Sequence, residues 1–100
     1  MSSPDYRLRR SGKARTDLLG ILRYTGETWG RGQLLVYRDL IENTLTAIRQ
    51  NPEIGHPDTD LPPTHRTYGA GSHVVIYRIE GGSIWVVRIL HRRMNLKGHL

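Results

Sequence analysis

The order of periodic segments along the chain predicts an α+β fold: an N-terminal strand, then an antiparallel helical hairpin packed on a C-terminal antiparallel three-stranded β-meander. Two observations carry this prediction. Apolar residues recur at helical spacing through the first half of the chain, whereas β-branched residues separated by glycine turns dominate the last third. With 100 residues, the chain is expected to form a single domain over residues 1–100.

The first two elements are a short strand and a helix. Tyr6 and Leu8 alternate with charged residues across Asp5–Arg10, a pattern typical of a strand with one buried face. Ser11 follows at the position of a helix N-cap. From Lys13 to about Thr28, one stripe at helical spacing predicts the buried face of a helix: Ala14, Leu18, Ile21, Leu22 and Thr25.

A second helix is predicted from about Gln33 to Gln50, because its apolar residues form the clearest stripe in the chain: Leu34, Tyr37, Ile41, Leu45 and Ile48. Trp29-Gly30 ends the first helix, and Gly30 is suited to a left-handed backbone conformation. Asn51-Pro52 ends the second helix, since the residue before proline disfavours α geometry. The short connection makes the hairpin antiparallel. The aromatic residues of the hairpin are expected to pack in the core: Tyr24, Trp29 and Tyr37.

Three strands are predicted after a polar loop over 52–65. They cover Arg66–Tyr68, Ser72–Ile79 and Ser83–His91, with glycine-containing turns between them. Strict alternation in the last strand would place four residues on one face: Ile84, Val86, Arg88 and Leu90. Trp85 would then lie on the other face, where the sheet is open to a partner.

Charge is concentrated at the C-terminal end. The net charge is +6, and residues 65–100 contain six basic residues against the single acid Glu80. Such a block attracts an anionic partner, either nucleic acid or an acidic protein segment. The absence of cysteine excludes disulfides and Cys-ligated metals, and the histidines and aspartates of the 52–65 loop match no known metal-ligand spacing. Without a signal segment or an apolar run, the chain is expected to be cytoplasmic and not bound to a membrane.

Several short motifs, taken together and in order, resemble the ParE toxins of the RelE/ParE superfamily of bacterial type II toxin–antitoxin modules. The resemblance extends from Tyr6 to Leu100. The motifs are Tyr24-Thr25 with Trp29-Gly30, the break from Asn51-Pro52 to Gly55, Tyr77-Arg78, Arg88-Ile89-Leu90-His91, Arg93-Met94-Asn95 and His99-Leu100. The chain departs from many relatives at Asn95, where they have Asp, and at Thr64–Arg66, where they have Gly-x-Arg.

The resemblance implies a toxin that poisons DNA gyrase by binding and is neutralised by a ParD-like antitoxin. It implies no enzymatic activity, cofactor or small-molecule ligand. The antitoxin is expected to lay an amphipathic helix in an apolar groove between sheet and helices, while its acidic residues meet arginines of the toxin. The candidate antitoxin-binding residues are Arg78, Trp85 and Arg88. The candidate target-binding residues are His91, Arg92, Arg93, Met94 and Lys97.

The main alternative is a ribosome-dependent mRNA endoribonuclease of the RelE type. Arginines would stabilise the charge of the phosphate transition state, and a histidine would move the proton. The candidates are Arg66, Arg78, Arg88, His73 and His91. Against it, the only lysines, Lys13 and Lys97, lie outside the strands, and no tyrosine is present near the C-terminus. A third alternative is an interaction module that has lost its toxicity.

Two of these candidates have competing structural interpretations. Arg88 lies among apolar residues, so it either extends to the edge of the sheet or pairs with an acid, which the antitoxin would supply. His91 is either a general base or a strand-end histidine that is hydrogen-bonded to the backbone.

Overall fold

A computed structural model describes residues 6–100 and confirms the α+β fold. Two long helices pack on a four-stranded sheet with the strand order β1-β4-β3-β2. The elements are β1 (Arg7–Arg10), α1 (Gly12–Trp29), α2 (Arg31–Gln50), β2 (His65–Ala70), β3 (His73–Glu80) and β4 (Ser83–His91), with short 3₁₀ helices at Pro52–Ile54 and Leu96–His99. Asp5, where the first strand was predicted to begin, lies outside the described residues.

The sheet is mixed. The predicted meander is confirmed, because β2 pairs antiparallel with β3 and β3 pairs antiparallel with β4. The strand β1 pairs parallel with β4, and the chain between them contains the helical hairpin followed by β2 and β3. Within residues 6–100, no helix combines the length and apolar character needed to cross a bilayer.

The ends of the two helices follow the predicted signals. The Ser11 hydroxyl accepts a hydrogen bond from the Ala14 N–H at 3.0 Å, which confirms the N-cap. Gly30 alone separates α1 from α2, and its φ of 92° is in the region that favours glycine. The connection is therefore shorter than predicted. The helices approach closely at Gly26, where an added Cβ would lie 2.8 Å from Leu34 Cδ1.

The predicted helical stripes are confirmed as the core between hairpin and sheet. Their fully buried members include Ala14, Ile41 and Ile48. The prediction for the aromatic residues is wrong at two positions, because Tyr24 and Trp29 are 66% and 68% exposed. Both lie beside the buried stripe of α1, which is formed by Ala14, Leu18 and Thr25, and periodicity alone does not indicate how wide a buried stripe is.

The predicted alternation of β4 fails after Val86. Tyr77 of β3 pairs with Val86, whereas Ile76 pairs with Arg88, so Val87 is an extra residue in a β-bulge. The extra residue inverts the alternation. As a result, Ile89 joins the core under the helices, while Leu90 packs in a second cluster on the opposite face of the sheet with Leu61 and Ile76.

Strand boundaries near the β2–β3 turn also differ from the prediction. Gly69 and Ala70 belong to β2, and only Gly71 and Ser72 form the turn. Gly71 has a φ of 59°, and an added Cβ would contact Leu40 and Tyr37 of α2 at 2.9 Å. The loop at 52–65, predicted without regular structure, contains the 3₁₀ turn and a bridge between His56 and Thr67.

Candidate functional site

Arg88 forms a bidentate pair with Asp17 of α1. Its Nε and one terminal nitrogen each donate to a different Asp17 oxygen at 2.8 Å, and both side chains are largely buried. The other terminal nitrogen donates to the carbonyl of His99 in the C-terminal tail. Hydrogen bonds to Asp17 raise the pKa of Arg88, so it is a permanent cation. Of the two interpretations from sequence, Arg88 pairs with an acid, and that acid belongs to this chain.

The Asp17–Arg88 pair lies where β4 loses its neighbouring strand. The strand β1 ends at Arg10, opposite Val86, so the following backbone groups of β4 would be unpaired. Side chains of α1 and its cap replace β1 there. The Ser11 hydroxyl donates to the Val87 carbonyl at 2.7 Å, and Asp17 accepts from the Ile89 N–H at 3.0 Å.

A stack of two arginines and a tryptophan lies on the sheet face away from the helices, and we call it the Arg–Trp patch (Arg9, Trp85 and Arg78). The guanidinium carbons of Arg9 and Arg78 lie 5.7 Å and 5.9 Å from the Trp85 ring centroid. Arg9 and Arg78 are the cross-strand partners of Trp85 on its two sides. Trp85 therefore lies on the open face, as predicted, in a basic surrounding.

Arg78 of the Arg–Trp patch also affects the pKa of a neighbouring histidine. His65, its partner in β2, is buried, and this burial together with the Arg78 charge lowers the pKa of His65. Arg78 itself lies 3.4 Å from Glu80, and both side chains are exposed enough for that contact to be weak. Arg78 therefore keeps its positive charge at the surface.

Two histidines and a tyrosine form a connected group on the helix side of the sheet. His73 of β3 and His91 of β4 are cross-strand partners, with ring centroids 5.3 Å apart. The Tyr37 hydroxyl lies 2.5 Å from His73 Nδ1 and accepts from the Ser72 N–H at 3.0 Å. Burial lowers the pKa of His73, and the neighbouring His91 lowers it further. His73 is therefore neutral at physiological pH.

His91 contacts the backbone, as one of its two interpretations predicted. The Arg93 N–H donates to His91 Nδ1 at 3.2 Å. A neutral His91 therefore carries its proton on Nε2. The same ring borders a cleft of about 320 Å³ between the helices and the β2–β3 turn, which we call the histidine cleft and which is lined by Tyr24, Thr25, Trp29, Gln33, Tyr37, Ser72, His73 and His91.

The histidine cleft continues along α1 as a shallow groove toward the start of that helix. The adjoining section shares Tyr24, His73 and His91 with the cleft and is more apolar, with Gly20, Ile21, Ile89 and Met94 in its walls. The α1 groove, as we call the two sections together, ends at the Asp17–Arg88 pair. A groove between sheet and helices is thus present where the sequence analysis expected an antitoxin helix to bind.

The C-terminal tail presents the remaining candidate residues in two different ways. Arg92 folds back, and its Nε donates to the Gly71 carbonyl at 2.8 Å. Gly69 lacks the side chain that would collide with the Arg92 guanidinium there. Arg93 and Lys97 are exposed, and neither forms a salt bridge within residues 6–100. Met94, 38% exposed, lines the α1 groove.

Comparison with known proteins identifies the family. Residues 8–96 match the profile of the family described as the ParE toxin of the type II toxin–antitoxin system parDE. The chain belongs to the ParE toxin family. It is 39% identical over 95 residues to Toxin ParE1 of Caulobacter vibrioides, covering 95% of this chain and 96% of that protein. It is 35% identical over 91 residues to Toxin ParE1 of Mycobacterium tuberculosis, covering 90% and 93% of the two chains.

Solved structures share the ParE-like fold. The chromosomal ParDE toxin–antitoxin system from P. aeruginosa contains a chain that superimposes with a TM-score of 0.77 at 24% identity, covering 89% of this chain and 98% of that one. The RelBE2 toxin–antitoxin complex from Mycobacterium tuberculosis contains a chain with a TM-score of 0.66 at 19% identity, covering 93% and 98%. At these identities the similarity shows the fold alone.

In this ParE-family chain, the five residues of the nuclease interpretation do not all meet at one place: His73, Arg88 and His91 border the α1 groove, whereas Arg66 and Arg78 lie outside it. Arg66 pairs with Tyr77 in the β2–β3 register, and Arg78 is the next residue along β3, so Arg66 and Arg78 lie on opposite faces. Arg66 donates to the Gly55 carbonyl at 2.8 Å. His73 lies four positions from Tyr77 along β3, which is about 13 Å, and His91 is the cross-strand partner of His73.

The sequence analysis missed Asp17, Arg9 and Tyr37 as members of these sites. Asp17 gave a usable signal, because it is an acid between Ala14 and Leu18 on the buried stripe of α1, a position where an acid needs a partner. Arg9 gave a weaker signal, because its alternation with the inward-facing Leu8 indicates only that Arg9 lies on the outer face of the sheet. The link between Tyr37 and His73 depends on how α2 crosses the β2–β3 turn, which local sequence does not specify.

Proposed function

We propose that this ParE-family toxin inhibits DNA gyrase by binding, without catalysing a reaction, and that a ParD-like antitoxin neutralises it in the bacterial cytoplasm. Identity of 39% to a Toxin ParE1 across nearly the whole of both chains is the observation that carries the proposal. The solved relatives of this fold include a ParDE system and a RelBE2 complex, which supports an antitoxin as partner.

The placement of the arginines supports a binding mechanism over RNA cleavage. A metal-free nuclease of this size needs several cations and a proton-transfer group around one phosphate. Arg66 and Arg78 lie on opposite faces of the sheet, and the charge of Arg88 is neutralised by Asp17 at 2.8 Å. No single phosphate position can contact these three arginines in this arrangement.

Two surfaces fit an antitoxin. The α1 groove is apolar along Gly20, Ile21 and Ile89, and it suits the apolar face of an amphipathic helix. The Arg–Trp patch lies on the opposite face of the sheet and suits an acidic segment, since Arg9 forms no salt bridge within residues 6–100 and the Arg78–Glu80 contact is weak and exposed. An antitoxin that wraps around the sheet would cover both surfaces.

The tail is the surface we assign to gyrase. Arg93 and Lys97 are exposed cations without a carboxylate partner among the described residues, and Met94 lies beside them at the end of the α1 groove. An antitoxin helix in the groove would contact Met94, so it would interfere with the tail. Neutralisation would then follow from direct competition at adjoining surfaces.

The test of activity uses purified toxin in two assays. We expect inhibition of gyrase supercoiling with accumulation of cleaved DNA, and intact mRNA in a translating extract. A toxin that leaves gyrase unaffected at saturating concentration and cuts mRNA would refute the proposal and support the RelE-type alternative. A toxin inactive in both assays, whose expression leaves growth unchanged, would instead indicate an interaction module without toxicity.

The test of antitoxin binding uses the antitoxin encoded beside this gene and compares the two surfaces. Arg78→Ala should weaken binding by about tenfold, because a well-placed charge-assisted contact contributes roughly 1–2 kcal/mol. Ile21→Glu places a charge in the groove and should weaken binding at least as much. Arg49→Ala changes an exposed arginine of α2 outside both surfaces and is the matched control. Equal effects of all three variants would show that only overall charge matters.

A further inference from the structure

The histidine cleft contains chemistry that antitoxin binding does not require. Two imidazoles and a phenol hydroxyl lie at its base, two exposed aromatic rings lie at its rim, and none of its eight lining residues is acidic. From these features we propose that the cleft binds a nucleotide, with its phosphate against His73 and His91 and its base against Trp29 and Tyr24. The proposal does not depend on the gyrase target.

Both imidazoles can donate a hydrogen bond into the cleft. Neutral His91 carries its proton on Nε2, because its Nδ1 accepts from the Arg93 N–H. The Tyr37 hydroxyl lies 2.5 Å from His73 Nδ1 and 3.3 Å from the Ala70 carbonyl, and its single proton can go to either acceptor. When that proton goes to Nδ1, neutral His73 carries its own proton on Nε2. His91 therefore donates when neutral, and His73 donates in one of its two neutral tautomers and whenever it is protonated.

The spacing of the two rings suits one tetrahedral anion. Their centroids are 5.3 Å apart at adjacent positions of paired strands. A phosphate placed between them can accept one hydrogen bond of about 2.8 Å from each ring. Protonation of either imidazole then strengthens the contact, because each hydrogen bond becomes charge-assisted.

The surroundings of the pair also favour an anion. The helix α2 begins at Arg31 without a side-chain cap and without an acid in its first turn, and Gln33 of that turn lines the cleft. No acidic side chain of this turn therefore opposes an anion at the site. Arg92 is anchored next to Ser72, which also lines the cleft. The nearest acid in the adjoining groove, Asp17, is already paired with Arg88.

The aromatic rim indicates what the anion is attached to. Trp29 is 68% exposed and Tyr24 is 66% exposed, and both line the cleft. Aromatic side chains exposed beside an anion-binding site are the usual platform for stacking a nucleobase. A free nucleotide and one unit of a single-stranded nucleic acid present the same phosphate and ring to these residues.

The experiment follows the imidazole resonances of the full chain by NMR during additions of inorganic phosphate, a deoxynucleoside monophosphate and a short single-stranded oligonucleotide. We expect phosphate to shift the imidazole resonances of His73 and His91 and to raise the pKa of His73, while the resonances of His56 and His65 remain unchanged. The nucleotide should bind about tenfold more tightly than phosphate, because stacking of its base adds to the anion contact. Whichever of the nucleotide and the oligonucleotide binds more tightly then identifies the ligand as a free nucleotide or as part of a single-stranded nucleic acid.

Variants separate the two halves of the site. Trp29→Ala should abolish the advantage of nucleotide over phosphate and leave phosphate affinity unchanged, whereas His73→Gln combined with His91→Gln should abolish both. Trp85→Ala removes the tryptophan of the Arg–Trp patch and should change neither. The proposal is wrong if phosphate and nucleotide leave His73 and His91 unshifted, if all histidines shift equally, or if Trp85→Ala and not Trp29→Ala removes nucleotide binding. An acidic peptide that shifts the pair where phosphate does not would assign the cleft to a protein partner instead.

Discussion

Asp17 of α1 and Arg88 of β4 form one hydrogen-bonded unit that connects three parts of the chain. Asp17 accepts two hydrogen bonds from the Arg88 guanidinium and one from the Ile89 backbone, and Arg88 also donates to the His99 carbonyl of the tail. The pair therefore satisfies the free edge of β4 and attaches the tail to the first helix. Its main role is structural, although it lies at the end of the α1 groove.

Removing the charge of Asp17 should be costly. Asp17→Asn leaves the Arg88 guanidinium without a counter-charge, and both side chains are only 13–16% exposed. We expect a loss of about 3 kcal/mol in the free energy of unfolding, measured by urea denaturation, because breaking a largely buried pair strands the remaining charge. Glu42→Gln is the matched control. It breaks the Arg10–Glu42 pair, which is 30% and 43% exposed, and should cost under about 1 kcal/mol. Equal losses in the two variants would contradict this account.

Gly55 should not tolerate a side chain. It is buried, its N–H donates to the Tyr77 hydroxyl at 2.9 Å, and an added Cβ would collide with that hydroxyl and lie 2.9 Å from the Thr67 carbonyl. Gly55→Ala is expected to destabilise the chain by about 1–3 kcal/mol, since both neighbours are held by other contacts. Gly82→Ala, where an added Cβ meets nothing within 4 Å, should change stability by less than about 1 kcal/mol. Thermal denaturation measures both variants, and equal melting temperatures would disprove the packing argument.

Acid should destabilise the fold through two histidines. Burial lowers the pKa of His73 and of His65 in the folded chain relative to the ordinary value of 6.5. The unfolded chain therefore binds these protons at a higher pH than the folded chain does, so stability falls as the pH drops below 6.5 toward the folded pKa values. His73→Gln should reduce this slope in urea titrations between about pH 7.5 and about pH 5.5. His56→Gln, an exposed histidine, is the control, and a slope unchanged by His73→Gln would contradict the assignment.

Hydrophobic periodicity was sufficient to predict the order and type of the elements. The stripes from Ala14 to Thr25 and from Leu34 to Ile48 place both helices, because only a helix brings residues at that spacing to one face. The β4 strand was predicted with its observed bounds, since glycines precede it and its residues are β-branched. Element ends near Gly30 and Gly69 differ, because turn lengths depend on how the packed elements meet.

The sites were predicted less well than the fold, and the bulge at Val87 is the main reason. Nothing in the sequence from Val86 to Arg88 marks an extra residue, yet it inverts the faces of Ile89 and Leu90. The partner of Arg88 is 71 residues away in sequence, so local pattern gives no indication of it. Trp85 was placed on the open face because β4 still alternates regularly before the bulge.

The most direct test of the central claim is a gyrase supercoiling titration with two charge-matched variants. The wild-type toxin should inhibit supercoiling, and Arg93→Glu/Lys97→Glu, which reverses the exposed tail cations, should raise the half-inhibitory concentration by at least about tenfold because charge complementarity with the target is lost. Arg15→Glu/Arg23→Glu reverses two exposed arginines of α1 and changes the net charge by the same amount. Its half-inhibitory concentration should stay within about twofold of wild type, because these two arginines lie outside the tail. The account is contradicted if the tail variant inhibits supercoiling as strongly as the wild-type toxin, or if the wild-type toxin does not inhibit supercoiling.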